Sequence, residues 1–173
     1  ILGVNGHLSI YGESQMLGDY DSLALRVGKI EGVVKVTPMI EGQVMASANG
    51  QAKGAVVRGL RQVDIQQRAI LRDNIRQGSL ENFKGKNAVM LGSRMARNMG
   101  LRIGDKITLI SPKGNVTAFG TVPRMKAYKV AAIFNVGMHE YDSSFIFMPL
   151  AAAQVYFKLP GAVSYLDVVI KNP

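Results

Sequence analysis

Asn49-Gly50 stands between two long runs rich in β-forming residues, Val33 to Ala46 and Ala55 to Leu60. A two-residue turn between antiparallel strands needs positive φ at both positions, and Asn-Gly supplies it readily. The pair therefore commits this part of the chain to a long β-hairpin. A second fold-back is written into residues 114–130, where a strand reaches a tip punctuated by Gly120 and Pro123 and returns as another strand. That tip sets Phe119, Val122 and Met125 beside Arg124, Lys126 and Lys129. Apolar side chains at a loop tip cost solubility, so the hairpin is a candidate for gripping a partner. The alternative is that Phe119 and Met125 fold back onto the sheet as ordinary packing. The residues by themselves leave both readings open.

Around these hairpins the pattern reads as strands and helices in turn. A first strand is expected from Val4 to Tyr11. Asp19 is expected to cap a helix reaching Ile30, with Tyr20, Leu23, Leu25, Val27 and Ile30 near one face and Gly32 as its stop. The long strand after it carries an expected irregularity at Pro38. Val63 to Leu71 reads as short and helical, and Asn87 to Gly92 as a short buried strand. Ser93 is expected to cap a helix, Arg94 to Met99, that ends at Gly100. Gly104-Asp105 turns into the strand Lys106–Ile110, and Ser144–Met148 is a further strand. Pro149 opens a helix from Leu150 to Phe157 that Pro160-Gly161 ends, and Tyr165–Ile170 is the last strand. Two βα-type ends flanking a β-rich middle give an α+β arrangement with an insertion. The first and last strands are expected to share a sheet, which brings the two termini together.

With 173 residues the chain can form one domain or two small subdomains around a real core. A hydrophobic content of 47% against 19% charged residues describes a folded chain rather than a disordered one. The absence of cysteine removes zinc-thiolate, disulfide and thiol-nucleophile chemistry together. No run approaches the roughly 18 to 20 apolar residues of a membrane helix. The longest, Ala127 to Val136, is broken by Lys129 and Asn135. The chain opens at Ile1 with neither initiator Met nor signal-peptide pattern, so it is expected to be an excised part of a longer protein. Its net charge of +9 is unevenly placed. Residues 53–129 hold 16 Lys/Arg against four acids, a net of +12, while the rest of the chain carries −3. A basic middle between slightly acidic ends suggests an inserted subdomain that faces an acidic partner, nucleic acid or anionic lipid; a solvated basic surface is the plainer reading.

Catalytic patterns are missing. His7 and His139 are far apart and neither has ligand-like spacing. Gly85-Lys86-Asn87 evokes a phosphate-binding loop but fails it, because Leu80 replaces the first glycine and Asn87 the Ser/Thr. Neither Gly-x-Gly-x-x-Gly nor Gly-x-Ser-x-Gly occurs. The nearest acid pairs, Asp19 with Asp21 and Glu140 with Asp142, suit a helix cap and a loop. No cofactor and no metal are expected, and a non-catalytic binding module is the leading class. Nucleic-acid binding wants aromatics interleaved with the bases of the middle segment, which has only Phe83, Phe119 and Tyr128. A protein or lipid-bearing partner fits the apolar tip better.

The succession Val89-Met-Leu-Gly-Ser-Arg-Met-Ala-Arg-Asn-Met-Gly-Leu-Arg-Ile-Gly-Asp-Lys-Ile107 resembles the periplasmic domains of MacB-type ABC transporter permeases. Within that superfamily the chain is most similar to the lipoprotein-releasing permeases of the LolC and LolE type. Thr117 to Lys126 resembles the LolC segment called the Hook, and Ile133-Phe134, Tyr141 to Leu150 and Ala153-Gln154 fit the frame of both subunits. The resemblance implies a Porter subdomain from residues 1–60 and 144–173, and a β-rich Sabre subdomain from residues 61–143 that carries the Hook at 115–130. It implies a membrane-embedded parent in the inner membrane of a Gram-negative bacterium, with this domain in the periplasm. The parent would pair with a second permease subunit and a cytoplasmic ATPase that hydrolyses ATP, and act on lipoprotein cargo. A LolC-type Hook implies recruitment of the LolA carrier, with Thr117, Phe119, Gly120, Val122, Pro123, Arg124, Met125 and Lys126 as contact residues. Phe119, Val122 and Met125 are then expected to enter a hydrophobic mouth, while Arg124 and Lys126 steer an acidic carrier. The neighbouring Pad of LolC has an Arg where this chain has Thr108, with Lys106 or Lys113 as candidate substitutes. A LolE-type or hybrid subunit, and a MacB-type export domain that meets a periplasmic adaptor, are the alternatives the resemblance leaves.

Overall fold

The computed structural model of the chain describes residues 4–173. Asn49 and Gly50 take φ of 50° and 74° and join β2 (Val33–Ala48) to β3 (Gln51–Leu60), with Ala48 opposite Gln51. The other strands are β1 (Leu8–Tyr11), β4 (Ile75–Gly78), β5 (Ala88–Gly92), β6 (Lys106–Thr117), β7 (Gly120–Phe134), β8 (Phe145–Pro149) and β9 (Tyr165–Ile170). The helices are α1 (Tyr20–Gly28), α2 (Gln62–Gln66), α3 (Ala69–Arg72), α4 (Ser93–Asn98), α5 (His139–Ser144) and α6 (Leu150–Tyr156).

The strand pairings close on themselves. β2 pairs β3, β3 pairs β8, β8 pairs β5, β5 pairs β7 and β7 pairs β6. β6 then returns to β2 between Met45↔Ile110 and Ser47↔Thr108. β9 and β1 extend the sheet from β2, and β4 extends it from β7. The pairs β3–β8 and β5–β7 are parallel and the others antiparallel, so the chain is an α+β domain built on a mixed sheet. Strands from the two ends (β2, β3, β8) and from the middle (β5, β6, β7) share this ring. One face of the ladder packs Val44, Val57, Leu91, Ile107, Leu109 and Tyr128 against Met95 of α4, Met99 just past its end, and Ala153 and Tyr156 of α6. The other face packs Met39, Leu60, Phe134 and Phe147 against Ile65 of α2, Leu71 of α3 and Tyr141 of α5. Alternation along each strand produces this division, because successive side chains point to opposite faces.

The two chain ends meet as expected: β1 runs antiparallel to β9, with Leu8 opposite Val168. A buried network fixes them. Arg68 donates to Asp167 at 2.5 Å and to the Val4 carbonyl at 2.7 Å, and Gly6 N–H donates to Asp167 at 2.8 Å.

Several local expectations need correction. The first strand begins at Leu8, while Val4 is a buried turn residue. Asp19 precedes α1 in the left-handed region (φ 48°) and makes no side-chain cap. The face of α1 that packs is Tyr20, Leu23, Ala24 and Val27; Leu25 is exposed because a 3.6-residue period rotates it away, and Ile30 is exposed because α1 ends before it, at Gly28. Ser93 is the first residue of α4 rather than its cap; Gly92 holds that position and the Ser93 hydroxyl is buried without a partner. Pro38 pairs with Leu166 without disturbance, and the irregularity lies between Val33 and Lys35. Pro38 is tolerated because pairing to β3 starts only at Ile40, so its missing N–H forfeits no ladder bond there. The stretch Val63–Leu71 splits into α2 and α3 around Gln67 and Arg68. No helix is long and apolar enough to cross a membrane among the described residues.

Candidate partner-binding hairpin

β6 and β7 leave the ring as a two-stranded ribbon whose turn is Ala118-Phe119, with Thr117 opposite Gly120. The turn differs in kind from Asn49-Gly50. Ala118 and Phe119 keep negative φ and Gly120 takes φ of 110°, a conformation that suits only glycine. Thr117 fixes the tip twice over. Its hydroxyl donates to the Gly120 carbonyl at 2.7 Å and accepts from Phe119 N–H at 3.3 Å. The Phe119 ring is thereby held fully in solvent, at 101% relative exposure.

Below the tip the ladder is interrupted between Ser111 and Asn115, where Pro112, Lys113 and Gly114 on β6 face Pro123 alone on β7. Gly114 permits this bulge, since a Cβ there would lie 2.3 Å from the Val122 carbonyl oxygen. The Ser111 hydroxyl donates to the Lys113 carbonyl at 3.2 Å and closes the loop from within.

Register decides which side chains share a face. Ile107, Leu109 and Ser111 lie opposite Tyr128, Lys126 and Arg124 on the side of the ribbon that carries α6. Lys106, Thr108 and Ile110 lie opposite Lys129, Ala127 and Met125 on the other side. Val122 and Met125 are three residues apart and so fall on opposite faces of the ribbon, although both are exposed. Met125 instead joins a row across three strands, Met45–Ile110–Met125. Val116, 88% exposed, is on that face too and escaped the sequence reading. Its signal was available: it stands opposite Thr121, two positions from Pro123 and four from Met125.

The basic residues divide in the same way. Arg124 is half-buried; its Nη1 donates to the Tyr156 carbonyl and its guanidinium lies 5.9 Å from the Tyr156 ring centre. Lys126 Nζ donates to the Lys86 carbonyl at 3.0 Å and lies 5.0 Å from the Tyr128 ring centre. Lys106, Lys113 and Lys129 are exposed and belong to none of the ion pairs among the described residues. Burial pushes the Tyr156 phenol up to about 12 against the pull of the nearby Arg124 charge, and burial raises Tyr128 as well.

A cleft of about 590 Å³ opens beside the bulge, with Gln43, Pro112, Lys113, Arg124 and Phe157 in its walls. A second, of about 610 Å³, is bordered by Arg58, Glu41, His139, Tyr141 and Phe145. Arg58 is committed there to Glu41 at 2.7 Å and Asn5 at 2.7 Å. No group of three or more His, Cys, Asp or Glu is placed to hold a metal among the described residues. The other histidine, His7, accepts from Ile170 N–H through Nδ1 at 3.0 Å. The catalytic motifs considered above are absent from the sequence, and Phe119 at the hairpin tip is the most exposed large hydrophobic side chain among the described residues.

Comparison with known proteins follows the fold. A LolC lipoprotein-releasing system transmembrane protein of Neisseria meningitidis is 28% identical over 144 residues, covering 83% of this chain and 35% of that protein. A LolC of Xylella fastidiosa is 23% identical over 165 residues, covering 93% of this chain and 39% of that protein. The chain thus spans little more than a third of the length of these curated relatives. Among solved structures, the extracellular domain of the ABC-type transporter YknZ from Gram-positive bacteria superimposes with a TM-score of 0.60 at 13% identity, covering 95% of this chain and 82% of that one. The periplasmic region of MacB from Actinobacillus actinomycetemcomitans gives 0.57 at 14% identity, covering 97% and 72%. The sequence matches the MacB-like periplasmic core domain over residues 4–173, and the chain belongs to that family.

Proposed function

We propose that this chain is the periplasmic domain of an ABC transporter permease and that the β6–β7 hairpin is its contact with a periplasmic partner protein. The observation that carries this reading is Phe119, held in solvent by a turn that Thr117 and Gly120 rigidify. An aromatic ring displayed in that way at the end of a ribbon gains only by burial in another molecule. In this reading residues 1–60 and 144–173 form the Porter part and residues 61–143 the Sabre part; residues 1–3 lie outside the described residues.

The finer reading is a lipoprotein-releasing permease whose hairpin recruits a LolA-type carrier, and the sequence likeness to LolC proteins supports it. Phe119 would enter the carrier's apolar mouth, with Val122 and Met125 against its rim from the two faces. Thr117, Gly120 and Pro123 would hold the tip's shape, which lowers the ordering cost of binding. Lys106, Thr108 and Lys113 would form the Pad beside it. The parent would lie in the inner membrane of a Gram-negative bacterium with a second permease subunit and a cytoplasmic ATPase, and lipoprotein would be its cargo. A LolE-type subunit is the variant in which the domain meets the lipoprotein itself. The likeness to MacB supports a second reading, an export permease whose hairpin meets a periplasmic adaptor.

Immobilised chain challenged separately with a purified LolA-type carrier and a purified periplasmic adaptor of a MacB-type exporter distinguishes the two. Phe119→Ala is expected to weaken the true partner about 30- to 100-fold, the equivalent of ~2–3 kcal/mol for one buried aromatic side chain. Unchanged affinity in that variant would remove the hairpin from the interface.

A further inference from the structure

Two of the ribbon's cations, Arg124 and Lys126, sit on its α6 side rather than at the tip. Arg124 lies opposite Ser111 and Lys126 opposite Leu109, on the side of the ribbon that carries α6. Both are occupied. Arg124 donates to the Tyr156 carbonyl, and Tyr156 is the last residue of α6. Carbonyls in the last turn of a helix lack intrahelical donors and carry partial negative charge, so a guanidinium there gains a hydrogen bond and a favourable charge contact, although Arg124 Nε is itself buried without a partner. Lys126 donates to Lys86 and covers Tyr128. The two rings meet edge to face at 6.1 Å. The result is a continuous row, Arg124–Tyr156–Tyr128–Lys126, at the base of the ribbon, two rings flanked by two cations.

We infer that Arg124 and Lys126 are positioning residues that brace the hairpin, Arg124 against the end of α6 and Lys126 against the Lys86 carbonyl and the Tyr128 ring, and set the direction in which Phe119 is presented. Steering charge comes from the opposite face, where Lys106 and Lys129 are cross-strand neighbours in solvent. The physical need is plain. A two-stranded ribbon is marginal in water, and this one is weakened further by the bulge at Ser111–Asn115. Without an anchor its tip would sample many directions, and a partner would have to offset that freedom on binding. Arg suits the task because its planar guanidinium can donate and lie over a ring at once, which an ammonium of similar reach does less well.

The functional meaning of the brace rests on the hairpin being the partner contact, but the brace itself is read in the free chain. Hydrogen exchange of amides 115–122 is therefore measured without any partner in the wild type, Arg124→Gln and Arg124→Lys. Both variants are expected to exchange about tenfold faster at the tip, with β2 and β3 unchanged. Wild-type exchange in Arg124→Gln, or full rescue by Arg124→Lys, would overturn the brace. The second arm follows the association rate with a LolA-type carrier across a salt series. Arg124→Gln should keep the wild-type salt slope while Lys129→Gln flattens it. A flattened slope in Arg124→Gln would place that charge at the partner and also overturn the inference. A wild-type chain that binds no carrier would count against the carrier reading, while the exchange arm still decides the brace.

Discussion

Asn49 shows how much one side chain can carry. Its backbone takes the positive φ that closes the β2–β3 turn, and its Nδ2 donates to the carbonyls of Met99 at 2.8 Å and Gly100 at 3.2 Å. The turn residue of a hairpin thus caps the C-terminal end of α4, fifty positions away in the chain. Asn49→Gly keeps the turn and loses the cap, so urea denaturation should show a loss of about 1 kcal/mol. Asn49→Asp can adopt the same φ but turns an acceptor toward two acceptors, and the loss should be larger, about 2–3 kcal/mol. Wild-type stability in both variants would show that the amide is idle. The sequence made the turn legible, because φ preference is local. It could not reveal the cap, because the carbonyls come from another element. Ser93 failed for the related reason: its type suits a cap, but its position came one residue too late, inside α4.

At the level of elements, strands were read well and faces less so. The runs Val33–Ala46, Ala55–Leu60 and Tyr165–Ile170 became β2, β3 and β9 because β-branched and apolar residues cluster there. β4 and α5 went unseen, since Ile75–Gly78 and His139–Ser144 are short and mostly polar. The hairpin was legible as a protrusion with an apolar tip. Which side each base would take was not, because the bulge at Ser111–Asn115 resets the register and α6 is remote in sequence. The tyrosines of the stalk give a test at this scale. Burial holds the folded Tyr156 phenol at about 12, above its ordinary 10.0, and Tyr128 shifts in the same direction. The fold thus favours the neutral phenols, and that contribution is complete below pH 10. It is lost as pH rises through the folded values, since the unfolded phenols ionise first. Absorbance at 295 nm should show delayed phenolate formation, and stability should fall between about pH 10 and 12. Phenols that all titrate near 10 in the folded chain would contradict the packing of this row.

The whole molecule is held by two closures. One is the strand ring, which fuses the ends and the middle of the sequence into one ladder. The other is the Arg68–Asp167 network, which ties residues 4–6 to β9 through the segment between α2 and α3. Both partners are buried, so removing one leaves the other charge without compensation. Asp167→Asn should therefore cost about 3–5 kcal/mol in chemical denaturation, far more than an exposed pair such as Arg72–Asp73 would. A loss below about 1 kcal/mol would show that the network is incidental. The division into a basic middle and acidic ends does not by itself reveal this pair, which joins one residue of each. The fold also sorts the chain's nine methionines by access to water. Met39, Met90, Met95, Met99 and Met148 are buried, whereas Met16, Met45 and Met125 stand in the open, the last two on one face with Ile110 of β6 between them. Mild peroxide will therefore convert those three thioethers to sulfoxides long before it reaches the core, and any molecule seated on the face of Met45 and Met125 will shield that pair alone. The face beside the hairpin carries its own oxidative footprint, legible as 16-dalton steps in a mass spectrum without any label added to the protein.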